Sequence, residues 1–202
     1  MNTTSINSKS SVYYSCFALL FILLAISFSN FDFSETFMRE RIRIAARIAF
    51  FYWILAFWAG PLWKVWRNDT VKFIFRTRRQ IGVSAAVAQT VFITLVAWTI
   101  SEMPRPFEEV VPFNELMIGA SGMVTYWVLA LTSNNISIKL LGKWWKRMHT
   151  VGVYYLGYSY ILEFTPGLGE NPAYYFPLAL ILGCFALRVF LVGKRLMGNV
   201  RF

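Results

Sequence analysis

Long apolar stretches separated by short polar and mostly basic segments set the pattern of this chain. Six of these stretches, 11–29, 43–63, 80–100, 116–133, 148–164 and 174–193, approach the ~20 residues that a membrane-spanning helix needs. The fourth and fifth are short, but tryptophan and tyrosine flank both (Tyr126 and Trp127; Trp144, Trp145 and Tyr160), and such rings sit well at headgroup depth. The pattern predicts an all-α membrane protein: a six-transmembrane-helix bundle over 11–193, with a polar segment at 1–10 and a basic tail at 194–202. The first stretch also has traits of a signal peptide cleaved after Ser29, because Ser27 and Ser29 are small. Its leading segment carries only Lys9, however, which favours an uncleaved span. The longest expected loops, 64–79 and 101–115, hold about fifteen residues each, so no soluble domain is expected.

Composition strengthens this picture. Of 202 residues, 57% are hydrophobic, 18% aromatic and only 15% charged, with a mean hydropathy of +0.50. A soluble domain needs only roughly 45–50% apolar residues, so the excess has to meet lipid. Soluble enzymes and nucleic-acid readers are excluded, and the partner expected first is the bilayer itself. The formal charge of +10 changes the picture only through its placement. Lys9, the run from Lys64 to Arg79, the run from Lys139 to Arg147, and Lys194, Arg195 and Arg201 fall on one side of the expected bundle, with Asp69 as the only acid. Arg39, Arg41, Arg43 and Arg105 fall on the other side with the remaining acids. By the positive-inside rule both termini face the cytoplasm.

Little else in the sequence carries chemistry. Cys16 and Cys184 lie in apolar runs with no ligand-spaced neighbour, so both read as core or lipid-facing thiols. Gly167-Leu168-Gly169-Glu170 lacks the third glycine and the strand–helix setting of a dinucleotide fingerprint and reads as a turn. Asn68-Asp69-Thr70 and Asn135-Ile136-Ser137 match the glycosylation pattern but fall on the expected cytoplasmic side, where they stay unmodified. The acidic, proline-bearing segment from Glu102 to Glu115 reads as a solvated turn. Arg47 and Arg188 lie inside spans within snorkelling reach of an interface, with a lipid headgroup or a cofactor carboxylate as the alternative partner. His149, the only histidine, follows Lys146-Arg147-Met148 at the start of the fifth span. There it can bond a headgroup or a carbonyl, or ligate a haem iron.

Three groups of residues carry a resemblance. They are Pro61-Leu62; Arg78-Arg79-Gln80-Ile81-Gly82-Val83; and Leu129-Ala130-Leu131-Thr132-Ser133-Asn134-Asn135, continued by Leu141 to His149 and by Tyr154-Tyr155. In this order and spacing they resemble the ferric reductase-like transmembrane family, which includes the haem-binding membrane subunit of the bacterial methionine-sulfoxide reductase system. The resemblance implies a helical bundle in a bacterial inner membrane. It further implies b-type haem held between histidines of the third and fifth helices, and electron transport to or from a quinone- or flavin-linked partner protein. His149 falls on one ligand position of the family. Arg78 and Arg79 become candidate cofactor or partner contacts, alongside their reading as plain positive-inside anchors.

The other ligand positions fail: Phe92 and Leu162 stand where deeper histidines belong, and Gln89 stands at a further one. Phe92 lies thirteen residues past Arg79 and Leu162 fifteen past Arg147, which puts both about 20 Å from the cytoplasmic edge. An amide is a poor axial ligand, so Gln89 is expected to hydrogen-bond another helix. Met148 cannot share an iron with His149, because adjacent helical residues point about 100° apart. Ser84, Ala85, Ala86 and Ala88 predict close helix packing.

The expectation is a haem-poor member acting as partner or regulatory subunit, with no self-contained catalytic site. One alternative is an oxidoreductase subunit with a single b haem at His149. The other is a small transporter or lipid-binding protein, which calls for paired interruptions near the bilayer midplane.

Overall fold

The structure is a computed structural model that describes residues 35–102, 113–169 and 171–198. The expected first span, Cys16 and most of the acidic segment lie outside the described residues. Among those described there is no strand. The elements in order are α1 (Glu35–Val65), α2 (Asp69–Ser101), α3 (Phe113–Leu131), α4 (Asn135–Leu141), α5 (Lys143–Phe164), two short 3-10 turns (Pro166–Gly169 and Pro172–Tyr174) and α6 (Tyr175–Gly198).

The first correction concerns the expected loop at 64–79, which is almost wholly helical. Between Val65 and Asp69 only three residues connect α1 to α2. Asn68 explains the early start of α2: its backbone is extended (φ −102°, ψ 169°) and its side chain accepts from the Val71 amide at 2.8 Å. An asparagine cap of this kind satisfies an amide that the helix itself leaves open, and Asp69 in the first turn complements the helix dipole. One sequon asparagine is therefore a helix cap. The basic run from Lys72 to Arg79 occupies the first turns of α2.

Small residues let α1 and α2 lie close along their length, as the alanine run predicts. Ala49 on α1 and Ala88 on α2 form one buried cluster, flanked by Tyr52 and Val91. A second cluster joins five helices: Trp53 and Phe57 of α1, Ala85 and Ala86 of α2, Tyr126 of α3, Leu156 and Tyr160 of α5, and Ile181 and Cys184 of α6. Trp53 stacks on Phe57 with ring centroids 4.9 Å apart. The hydroxyls of Tyr126 and Tyr160 share a buried hydrogen bond of 2.9 Å between α3 and α5.

Glycines bring α5 in. A Cβ at Gly152 would stand 2.9 Å from a Leu129 methyl, and one at Gly157 3.0 Å from the Phe185 ring. Close approach of this kind is what small residues supply between helices in lipid.

At the end of α3 the chain turns by 99° into α4, a break of three residues capped by Asn134, which accepts from the Ser137 amide at 2.7 Å. Gly142 (φ +50°) then turns the chain into α5, a conformation that glycine adopts without a Cβ penalty. Ile136 and Leu140 of α4 are largely exposed.

Three helical segments, Glu40–Val65, Asp69–Ser101 and Pro172–Lys194, are long and apolar enough to cross a membrane, and the bent pair α3–α4 is a fourth if it counts as one span. Only 11% of the apolar window in the last of these is buried within the chain. Lipid is the solvent that suits the remainder, and these helices mark a membrane protein. The helix expected over 148–164 is present as α5 but lacks that apolarity. It carries Lys143, Lys146, Arg147, His149 and Glu163 together with four tyrosines.

Candidate functional site

A proline inside a helix removes one amide donor, so the carbonyl four residues earlier loses its usual partner. Pro61 lies inside α1, and the carbonyl it leaves open is that of Phe57. Arg188 of α6 fills the gap: its Nη2 donates to the Phe57 carbonyl at 2.6 Å, while its guanidinium lies 4.3 Å from the Phe57 ring centroid. The Cys184 thiol, one turn earlier on α6, approaches the same oxygen at 3.7 Å. Snorkelling was the sequence expectation for Arg188; instead it turns inward and ties α6 to α1. Arg47, by contrast, is exposed, as snorkelling requires.

Beside this tie is a cavity of about 320 Å³. Its wall includes Trp53, Phe57 and Gly60 from α1, and Arg78, Arg79, Gly82 and Ala85 from α2. Leu129, Ala130 and Ser133 from the end of α3 and its turn, Lys146, His149 and Tyr154 from α5, and Arg188 complete the part that matters here. His149, Arg78 and Arg79 stand out separately in the sequence, and the fold brings all three to one cavity. Arg188 and Lys146 were not assigned to it. Lys146 lies one turn before His149 on the same helix, so helical phase places it there, whereas no sequence signal places Arg188 there. Gln89, Phe92 and Leu162 do not line it, and the Gln89 side chain makes no hydrogen bond to another described residue.

The surroundings of His149 decide its chemistry. Its ring stacks on Trp145, one turn earlier, at a centroid distance of 4.1 Å. Nε2 lies 3.0 Å from the Thr132 hydroxyl, which sits 2.6 Å from the Val128 carbonyl. A threonine hydroxyl has one hydrogen. With that hydrogen given to Val128, Oγ1 accepts from Nε2–H, and the free lone pair of the imidazole is left on Nδ1. Trp145 reinforces the arrangement by donating its indole N–H to the Thr132 carbonyl at 2.8 Å.

These residues do not fit a six-coordinate b haem. The α2 residues on the cavity wall are Arg78, Arg79, Gly82 and Ala85, none of them an axial ligand, and the Nε2 of the one histidine is engaged by the Thr132 hydroxyl at 3.0 Å. No cluster of three or more His, Cys, Asp or Glu side chains occurs among the described residues.

The charge of the site is one-sided. Arg78, Arg79, Lys146 and Arg188 line it, and among the described residues no carboxylate does. Arg79 donates to the Asn135 side chain at 2.9 Å, which gives the second sequon asparagine a structural role, and Arg78 lies 4.4 Å from the Phe75 ring centroid. Comparison of the chain with family models, curated proteins and solved structures finds no match.

Proposed function

We propose that this protein is a divergent, haem-poor member of the ferric reductase-like class, a six-span protein of the bacterial inner membrane with both termini in the cytoplasm. On this reading it serves as a partner or regulatory subunit of a membrane redox system and does not conduct electrons through two haems. One observation carries the reading. The segments that resemble the family converge on a single cavity through Gly60, beside the Pro61-Leu62 pair, and through Arg78, Gly82, Ser133, His149 and Tyr154, yet the imidazole there has its Nε2 committed to Thr132. The bundle keeps the walls of a cofactor site while its ligand set has gone.

A pyridine haemochrome assay with reduced-minus-oxidised spectra on detergent-purified protein, normalised to protein concentration, tests this. The expected haem content is near zero; two low-spin b haems per chain would overturn the proposal.

A second reading, one b haem at His149 serving a quinone- or flavin-linked partner, draws on the cations around the same cavity, which suit a carboxylate-bearing ligand. It requires Thr132 to release Nε2, and it predicts one haem per chain that His149→Ala abolishes. A transporter calls for paired helix interruptions, and the α3–α4 bend is the single broken helix pair among the described residues.

A further inference from the structure

The cavity gathers donors and leaves several of them without acceptors. The Lys146 ammonium has no hydrogen-bond or ion-pair partner among the described residues, and the Arg78 guanidinium has only the Phe75 ring there. The Arg188 Nε and the indole N–H of Trp53 are both buried without a partner, and both residues line the cavity. Gathering four like charges around half-buried space is unfavourable unless an anion compensates them. Unsatisfied buried donors likewise call for an acceptor. The ligand that meets both needs is acceptor-only and negatively charged.

The rest of the wall narrows the class further. Trp53, Phe57, Ala85, Tyr126, Leu129 and Tyr154 give the cavity a largely aromatic and apolar lining. A small hydrated anion gains nothing from such a surface, whereas a phosphate attached to an apolar body does. Arginine and lysine together suit phosphate oxygens, the first through its forked donors and the second as a point charge. Basic pockets between membrane helices bind anionic headgroups on these grounds.

We infer that this cavity is a binding site for the phosphodiester headgroup of an anionic phospholipid, held by Arg78, Lys146 and Arg188 with Trp53 as a neutral donor. Arg79 contributes charge while its tie to Asn135 holds the end of α3 and the start of α4 in place. The inference rests on the cavity's charge and its orphaned donors, independently of the family reading. A haem-free and a haem-containing protein make different predictions in the haemochrome assay but the same one here.

The test uses the full chain in zwitterionic detergent, with lipid retention read by native mass spectrometry and protection by thermal unfolding. Phosphatidylglycerol, phosphatidylcholine and inorganic phosphate are the probes. Arg78→Gln/Lys146→Gln is the main variant, because both side chains are exposed and neither ties helices together. Arg76→Gln is the control: it is exposed on the same helix but does not line the cavity. Phosphatidylglycerol is expected to bind in preference to phosphatidylcholine, and the double variant to lose about thirtyfold in affinity, in keeping with the attraction of each basic residue for anionic headgroups. Arg76→Gln should bind as the parent does.

Equal retention of the two lipids would overturn the inference. So would a loss in Arg76→Gln matching that of the double variant. Inorganic phosphate that protects as well as phosphatidylglycerol, and displaces it, would assign the cavity to a soluble phosphate and overturn the lipid.

Discussion

The contact between α1 and α2 and the contact between α1 and α6 hold the same helix by opposite means. Along the first, alanines do the work: Ala49 and Ala88 are buried to 0% and 2% exposure, and the backbones come close enough for dispersion to act over many atoms. Along the second, polar ties recur at about one per turn. Trp58 donates to the Leu180 carbonyl at 3.1 Å, and Arg188 and Cys184 both reach the Phe57 carbonyl. Lipid removes most of the hydrophobic drive between helices, so association relies on close packing and on interhelical hydrogen bonds. The α1–α2 contact uses the first. The α1–α6 contact uses the second, at a point where Pro61 has left an acceptor open. The first contact should therefore fail by steric excess and the second by loss of a donor.

Ala88→Leu is expected to give the largest effect, a destabilisation of about 3 kcal/mol, because added methylenes in a close-packed seam force the helices apart. Denaturant unfolding in detergent, followed by circular dichroism, checks it. A cost near zero would mean that the seam has slack and that alanine is not what sets its spacing.

Next comes Arg188→Met, which keeps the apolar stem but leaves the Phe57 carbonyl only the weak Cys184 thiol as a donor, at about 2 kcal/mol for a buried acceptor left poorly satisfied. Its partner variant is Pro61→Ala, which restores a helical amide at the position that normally serves that carbonyl. In the double variant the loss should shrink by about 1 kcal/mol relative to the sum of the two, the signature of coupled residues. Additive effects would break the link between the proline and the arginine.

Much of this architecture was legible in the sequence, and the exceptions are physical. The helices over 43–63, 80–100, 116–133, 148–164 and 174–193 are present because each is a sustained apolar or aromatic run, and the alanines from 85 to 88 pack as their size dictates. The start of α2 escapes hydropathy, in which a basic run looks like a loop. Asn68 followed by Asp69 was the helix-start signal that outranks it. The 99° turn before α4 is set by a cap and by Gly142, which hydropathy does not register. For the site, His149, Arg78 and Arg79 were each visible as candidates, but their convergence depends on how α2, α3 and α5 pack. Pro61 announced an open carbonyl at Phe57; its donor sits 131 residues further on, and nothing in a single sequence sets that register.

Trp58→Phe gives the smallest expected effect and sharpens the comparison most finely. The substitution keeps an aromatic ring beside Gly183, where a Cβ would approach the Trp58 ring at 3.5 Å, and removes the donor to Leu180. Interhelical hydrogen bonds in membrane proteins average about 0.6 kcal/mol, so the loss should be of that size and measurable only against a precise baseline. The Leu180 carbonyl belongs to α6 itself, so the bond from Trp58 supplements a helical partner, whereas the Phe57 carbonyl lacks the amide that position 61 would otherwise supply. That asymmetry is why Trp58→Phe should cost less than Arg188→Met although both remove one donor across the same pair of helices. If the two cost the same, the polar ties are interchangeable, and the proline-opened carbonyl has no special standing in holding α6 to the bundle.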